Sequence, residues 1–116
     1  MGVDTPEKAA PWFVGDQEPW AGRATAHVQR AVASARTLTV VTAGTRDRHR
    51  RLLAHVFVDG RSLSLSLAEA GLAYETVSVY GDGGFTELAV SILQKRRPPD
   101  FELPAQWRRT HRRQTR

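Results

Sequence analysis

The chain has 116 residues, of which 41% are hydrophobic and 25% charged, with a formal net charge of +5 and no cysteine. These values are typical of one globular domain with a modest core, and they exclude disulfides and thiolate metal sites. No apolar run approaches the roughly 20 residues that a membrane-spanning helix needs, and the start lacks the pattern of a secretion signal. We therefore expect no membrane partner. The expected location is cytoplasmic for the chain as given, or secreted if a leader precedes it.

The first half of the chain predicts a loop, a helix and two strands. Apolar residues at helical spacing indicate an amphipathic helix, β-branched residues indicate a strand, and a segment that is apolar on both faces indicates a central strand. Asp59-Gly60 is a tight-turn signal. In chain order the predictions are a loop over 8–21, a helix over 22–35, a strand over 37–43, a charged turn over 44–51 and a strand over 52–58.

The second half predicts a short helix, a strand and a longer helix before the tail. Gly71 is a stop signal for the short helix, and Pro98-Pro99 ends the longer one. The predicted bounds are 64–71 for the short helix and 74–80 for the strand. The longer helix is marked by apolar residues over 85–93 and is predicted to end before Pro98.

Positive charge is concentrated after the last predicted helix. Residues 95–116 contain eight Lys or Arg against two acidic residues, whereas residues 1–94 are nearly neutral. Such a tail attracts polyanions through counterion release, but it is equally typical of a solubilising segment. We predict one domain over residues 1–97 and a basic, mostly irregular tail over 98–116, which Phe101 and Trp107 can anchor.

Three separated motifs occur in the order and spacing of a known family. They are VDTPE at residues 3–7, Asp47-x-x-x-Arg51 directly before LLAHVFVDG, and LAEAGLA at 67–73. Together they resemble the staphylococcal-nuclease-like (thermonuclease) family over roughly residues 2–93. The resemblance implies an α+β, mainly β-barrel fold: an OB-fold with about three helices packed on it, N-terminally incomplete in this chain. It also implies a nuclease that hydrolyses phosphodiester bonds of DNA or RNA with calcium.

The resemblance assigns a metal site and two catalytic residues. Asp4 and the backbone carbonyl of Thr5 match ligands of Ca²⁺, a cation that prefers oxygen ligands. Glu7 matches the general base for the attacking water, a role that requires hydrogen-bond reach. Arg51 matches a guanidinium on the scissile phosphate, where its fork can bind two oxygens.

Two further positions match substrate contacts of the family. His49 stands near a position that is often aromatic before the motif arginine, and Tyr80 matches an aromatic of the nucleotide pocket. Stacking on a base and merely ending a strand are equal interpretations of Tyr80.

The chain also departs from the family pattern. The family carries a second guanidinium and a further calcium-binding Asp upstream of the DTPE motif, where this chain has only Met1–Val3. Since a lost transition-state donor costs about a hundredfold or more in rate, impaired activity is expected. The alternative is a non-catalytic OB-type module that binds nucleic acid. A homodimer whose copies cover each other's open sheet edges is compatible with either.

Overall fold

The computed structural model describes residues 1–114, apart from the side chain of Thr45, and the last two residues of the predicted tail lie outside the described residues. The described chain is α+β, as predicted. Its strands are β1 (Val3–Asp4), β2 (Leu38–Arg46), β3 (Leu52–Val58), β4 (Arg61–Ser62) and β5 (Tyr74–Glu75). Its helices are α1 (Trp20–Ala33), α2 (Leu63–Glu69), α3 (Val77–Tyr80), α4 (Thr86–Lys95) and α5 (Pro104–His111).

The strands form two small antiparallel sheets. One pairs β1 with β5, and the other has the order β2-β3-β4, so that β3 is central as its two apolar faces predicted. Within residues 1–114 neither sheet closes into a barrel. No helix of the described chain is long and apolar enough to cross a membrane.

Strand β2 is the open edge of the larger sheet. It continues to Arg46, three residues beyond its predicted end, because the hairpin with β3 resumes after an irregularity between Thr42 and Arg46. Val40 is 61% exposed on this strand. An edge of this kind presents unpaired backbone groups together with apolar side chains.

The core lies where α2 packs against β3 and α4. Ser62 begins α2 by accepting a hydrogen bond from the backbone N–H of Leu65, which accounts for a start one residue before the prediction. Leu67, Ala68 and Ile92 are buried between the helices. The smaller sheet is held close to this core at Gly2, whose φ is +86° and where a Cβ would lie 3.3 Å from Ile92. Glycine therefore suits both the conformation and the close approach at that position.

The strand predicted over 74–80 is wrong after its first two residues. Only Tyr74 and Glu75 are in a strand, and residues 77–80 form the one-turn helix α3. The β-branched residues of this segment have a high propensity for a strand. The Glu75 side chain instead accepts hydrogen bonds from the backbone N–H and the hydroxyl of Ser78, which satisfies the start of a helical turn.

The prediction of mostly irregular chain is also wrong for residues 104–111. They form α5, which begins at a proline, the residue best suited to a first helical position. The anchors named from the sequence explain its docking. Phe101 and Trp107 are both buried, and Trp107 packs edge-on against Phe13 with ring centroids 5.2 Å apart.

Candidate functional site

Asp4 is positioned by the smaller sheet. It pairs with Tyr74, and the neighbouring Val3 pairs with Glu75. The Tyr74 hydroxyl donates a short hydrogen bond to the carbonyl of Phe101, at the entry to the tail. The strand that carries Asp4 is thereby linked to the segment that leads into α5.

Glu7 is positioned by Gln17, which is only 4% exposed. The amide oxygen of Gln17 accepts a hydrogen bond from the Glu7 backbone N–H at 3.0 Å, and the Gln17 backbone N–H donates to the Glu7 carbonyl at 2.8 Å. The side-chain nitrogen of Gln17 donates to the carbonyl of Glu102 at 2.8 Å. A single buried amide therefore fixes the backbone of Glu7 and connects it to the tail. Gln17 was not predicted as a site residue, because no motif surrounds it in the sequence.

Arg108 joins the two carboxylates. Its Nη2 donates to Oδ2 of Asp4 at 2.9 Å and its Nη1 to Oδ1 at 3.2 Å, so Asp4 is held by both arms of the guanidinium. Nη1 also donates to Oε1 of Glu7 at 2.6 Å. We call Asp4, Glu7 and Arg108 the carboxylate cluster. Arg108 was not predicted as a site residue, because in the sequence it is one of eight basic residues of the tail.

The carboxylate cluster is partly shielded from solvent. The Arg108 side chain is 31% exposed, and those of Asp4 and Glu7 are each 25% exposed. The hydrogen bond to Asp4 raises the pKa of Arg108 further above its ordinary value, with a smaller contribution from Glu7, and partial burial opposes this. The guanidinium is therefore permanently charged, and this one guanidinium is shared by two carboxyl side chains.

Helix α5 holds Arg108 at this place. The preceding residue, Trp107, packs against Phe13 in the core. It also stacks on His111, with ring centroids 4.2 Å apart. Beyond the helix, the backbone N–H of Arg113 donates to the carbonyl of Trp12 at 2.7 Å. The position of the guanidinium thus follows from apolar packing and backbone hydrogen bonds as well as from charge.

Thr5 lies between the two carboxylate residues in sequence. It borders a groove of about 230 Å³ formed with Pro6, Lys8 and the helix α1, whose Ala24 and Val28 line the far wall. The lining is mainly apolar, and it contains no carboxylate.

Arg51 lies at the tip of the β2–β3 hairpin, residues 46–51. Its Nε donates to Oδ2 of Asp47 at 2.7 Å, and its backbone N–H donates to Oδ1 of the same residue at 2.9 Å. The backbone hydrogen bond, followed by the guanidinium, lowers the pKa of Asp47. Among the described residues, Arg51 pairs locally with Asp47, whereas Asp4 and Glu7 pair with Arg108.

The two predicted substrate contacts are exposed. His49 is at the same hairpin tip, where its backbone N–H donates to Asp47 at 2.8 Å. Tyr80 ends α3 with 80% of its surface exposed, so its ring is accessible to a base. The structure therefore brings Asp4 and Glu7 together, and it places His49 beside Arg51 on a separate element.

As folded, the carboxylate cluster does not fit a calcium site. Calcium takes six to eight oxygen ligands. Among the described residues, no group of three or more His, Cys, Asp or Glu is arranged to hold a metal. The carboxylates of Asp4 and Glu7 already contact a guanidinium. The assignment of Asp4 and Thr5 to calcium remains a prediction.

The sequence profile of the staphylococcal nuclease homologue family matches residues 1–94. This chain belongs to the staphylococcal nuclease homologue family. The match extends from β1 to the last turn of α4, and it ends before α5. A search of curated proteins gave no significant match.

Membership in the nuclease family agrees with the resemblance carried by the VDTPE, Arg51 and LAEAGLA motifs. It supports a nuclease or another function directed at nucleic acid. Arg108, the partner of both motif carboxylates, lies outside the matched residues.

Proposed function

We propose that this chain is a phosphodiester hydrolase of the nuclease family that acts on DNA or RNA. The observation that carries the proposal is the convergence of Asp4 and Glu7 on one guanidinium, since a shared site for these motif carboxylates is what the family chemistry requires. We also propose that the two sheets belong to an OB-type barrel. The family match over residues 1–94 supports this assignment.

In this proposal Glu7 accepts the proton of the attacking water. Arg108 contacts its Oε1, and among the described residues Oε2 is the oxygen left to accept a proton. The charge that develops on the phosphoryl oxygens requires a guanidinium donor. Arg51 fills this role if it exchanges Asp47 for phosphate, an exchange that its 76% side-chain exposure permits. Calcium dependence stays part of the expectation from the family, and no step is routed through the ion.

The test is digestion of a supercoiled plasmid with CaCl₂ or with EGTA. We expect slow nicking by the wild-type chain and a loss of about 100-fold or more in Glu7→Gln, because that variant keeps the shape and removes the base. Glu87→Gln, an exposed carboxylate in the first turn of α4, is the matched control and should match wild type. Equal nicking by wild type and Glu7→Gln contradicts the assignment of Glu7. Intact plasmid in every arm contradicts hydrolysis.

A second candidate is a non-catalytic module that binds nucleic acid. Arg108 favours it, because both motif carboxylates are already paired with a guanidinium. The hairpin tip favours it as well, because it exposes the arginines 46, 48, 50 and 51 beside His49. An exposed basic tip of this kind attracts the phosphate backbone without sequence preference.

Salt titration of binding to a fluorescent single-stranded oligonucleotide tests the second candidate. If Arg46, Arg48 and Arg51 each neutralise a phosphate, the triple Gln variant should lower the slope of log affinity against log salt by about 2. The matched control replaces three basic residues outside the tip, Arg23, Arg30 and Lys95, with Gln. Its slope should fall by less than that of the tip variant, because the arginines of the tip still neutralise phosphates. A slope that changes equally in both variants contradicts a role for the tip.

We propose in addition that a second copy pairs with the exposed edge of β2. The support is the apolar, unpaired character of this strand, with Leu38 and Val40 both more than half exposed. Light scattering should give the mass of a dimer for wild type and of a monomer for Val40→Lys, since a lysine on an edge opposes strand pairing. A wild-type monomer at high concentration contradicts this proposal.

A further inference from the structure

The guanidinium of Arg108 occupies the position that a shared cation would need. It contacts both oxygens of Asp4 and one oxygen of Glu7, at distances of 2.6 to 3.2 Å. A calcium ion would approach the same oxygens to about 2.3–2.6 Å. Two cations at these distances from one pair of carboxylates would repel each other strongly in a partly shielded site. Calcium binding at the pair and docking of the guanidinium therefore oppose each other.

Movement of Arg108 is tied to movement of α5. The helix is fixed by the buried ring of Trp107 and by antiparallel backbone pairing between Phe13 and Arg112, directly after the helix. The segment before it is fixed by the hydrogen bond from Gln17 to Glu102. A side-chain rotation can release the guanidinium, but the packed helix returns it to the carboxylates. The helix therefore supplies a built-in cation at high effective concentration.

We propose that helix α5 closes the Asp4–Glu7 pair to divalent cations, with Arg108 as the internal cation that competes for it. The inference rests on the proposed function for the assignment of Asp4 and Glu7 to one site. It goes beyond that function by making divalent cations compete with the Arg108 guanidinium that docked α5 presents to the pair. Any change that displaces the helix then exposes the carboxylates of Asp4 and Glu7 to divalent cations.

The test is calorimetric titration of the full chain with CaCl₂ at low ionic strength. Arg108→Gln should bind Ca²⁺ at least tenfold more tightly than wild type, because it removes the competing charge and keeps a polar side chain. Arg109→Gln is the matched control. It lies on the same helix and is exposed, and its calcium affinity should equal that of wild type. Arg108→Gln combined with Asp4→Asn should lose the gain.

Equal calcium affinity in wild type and folded Arg108→Gln overturns the inference, and so does undetectable binding in both. Circular dichroism checks the fold of each variant. If Arg108→Gln is unfolded, Arg108→Lys decides, since it keeps the charge and loses the fork. It should bind Ca²⁺ more tightly than wild type by a smaller factor, and an affinity equal to wild type overturns the inference. A calcium gain without plasmid cleavage keeps the inference and contradicts the hydrolase, whereas cleavage without a calcium gain does the reverse.

Discussion

Arg108 and Arg51 each form an ion pair with an aspartate, but the two regions are built differently. Arg108 reaches Asp4 across 104 residues of sequence, and its side chain is 31% exposed. Arg51 reaches Asp47 across four residues, and its side chain is 76% exposed. Exposed local pairs contribute little to stability, whereas partly desolvated charges depend on their partners. The ion pair of Arg108 thus connects the two ends of the chain, whereas the ion pair of Arg51 only stabilises the shape of a loop.

The largest effect should come from the packing beneath the carboxylate cluster. Trp107→Ala should lower the free energy of unfolding by about 3–5 kcal/mol, because it empties a buried aromatic site. It should also loosen α5, whereas nothing at the hairpin tip changes. The measurement is urea denaturation followed by circular dichroism. Trp12→Ala is the control: this residue is 63% exposed and should cost far less. Equal losses in both variants would show that α5 is not docked through Trp107.

The next effect distinguishes the two arginines directly. Arg108→Ala should lower the free energy of unfolding by about 1–3 kcal/mol, because two partly shielded carboxylates lose their partner. Arg51→Ala should change it by less than about 0.5 kcal/mol, as expected for an exposed pair. Thermal or urea unfolding of both variants beside wild type gives the comparison. Similar small losses in both variants would show that the ion pairs of Arg108 contribute no more to stability than the ion pair of an exposed arginine.

The smallest effect is the titration of the hairpin tip. The hydrogen bond from the Arg51 backbone lowers the pKa of Asp47 below its unfolded value of about 3.9. The ionised form therefore favours the ordered tip above that pH, and this contribution is lost as the pH falls through the lower folded pKa. Between pH 5 and 8 Asp47 should stay ionised, so its own hydrogen bonds should not change.

Carboxyl NMR of Asp47 over pH 2–6 measures this pKa. Arg51→Ala should retain most of the lowering, because the leading donor is a backbone N–H that the substitution keeps. An ordinary pKa for Asp47 in wild type would contradict the local hydrogen bonds at the tip.

The sequence predicted those elements whose patterns are local and strong. The 14-residue α1 and the central strand β3 follow from periodicity, and Gly71, with a φ of +70°, directly follows the cap of α2, which ends at Glu69, two residues before its predicted end. The prediction of a strand failed over 77–80 because one side chain, that of Glu75, stabilises a helical turn there despite the β propensity of these residues. The failure at α5 has another cause: its stability comes from a tertiary contact between Trp107 and Phe13, which no local pattern contains.

The candidate site shows the same division. The family resemblance assigned Asp4 and Glu7 to one site, and in the structure both side chains contact Arg108. The partner itself, Arg108, comes from a segment with eight basic residues in the sequence, and composition cannot single out one of them. Gln17 is equally hidden, since its importance lies in three hydrogen bonds to residues distant in the chain.

The most direct test of the central claim, that Arg108 holds the motif carboxylates, is a double-mutant cycle of Asp4→Asn and Arg108→Gln. Free energies of unfolding for wild type, both single variants and the double variant give the coupling between the two side chains. We expect a coupling of about 1 kcal/mol or more, with the double variant less destabilised than the sum of the single ones. A coupling below about 0.3 kcal/mol would mean that the two side chains act independently and that Arg108 does not hold Asp4.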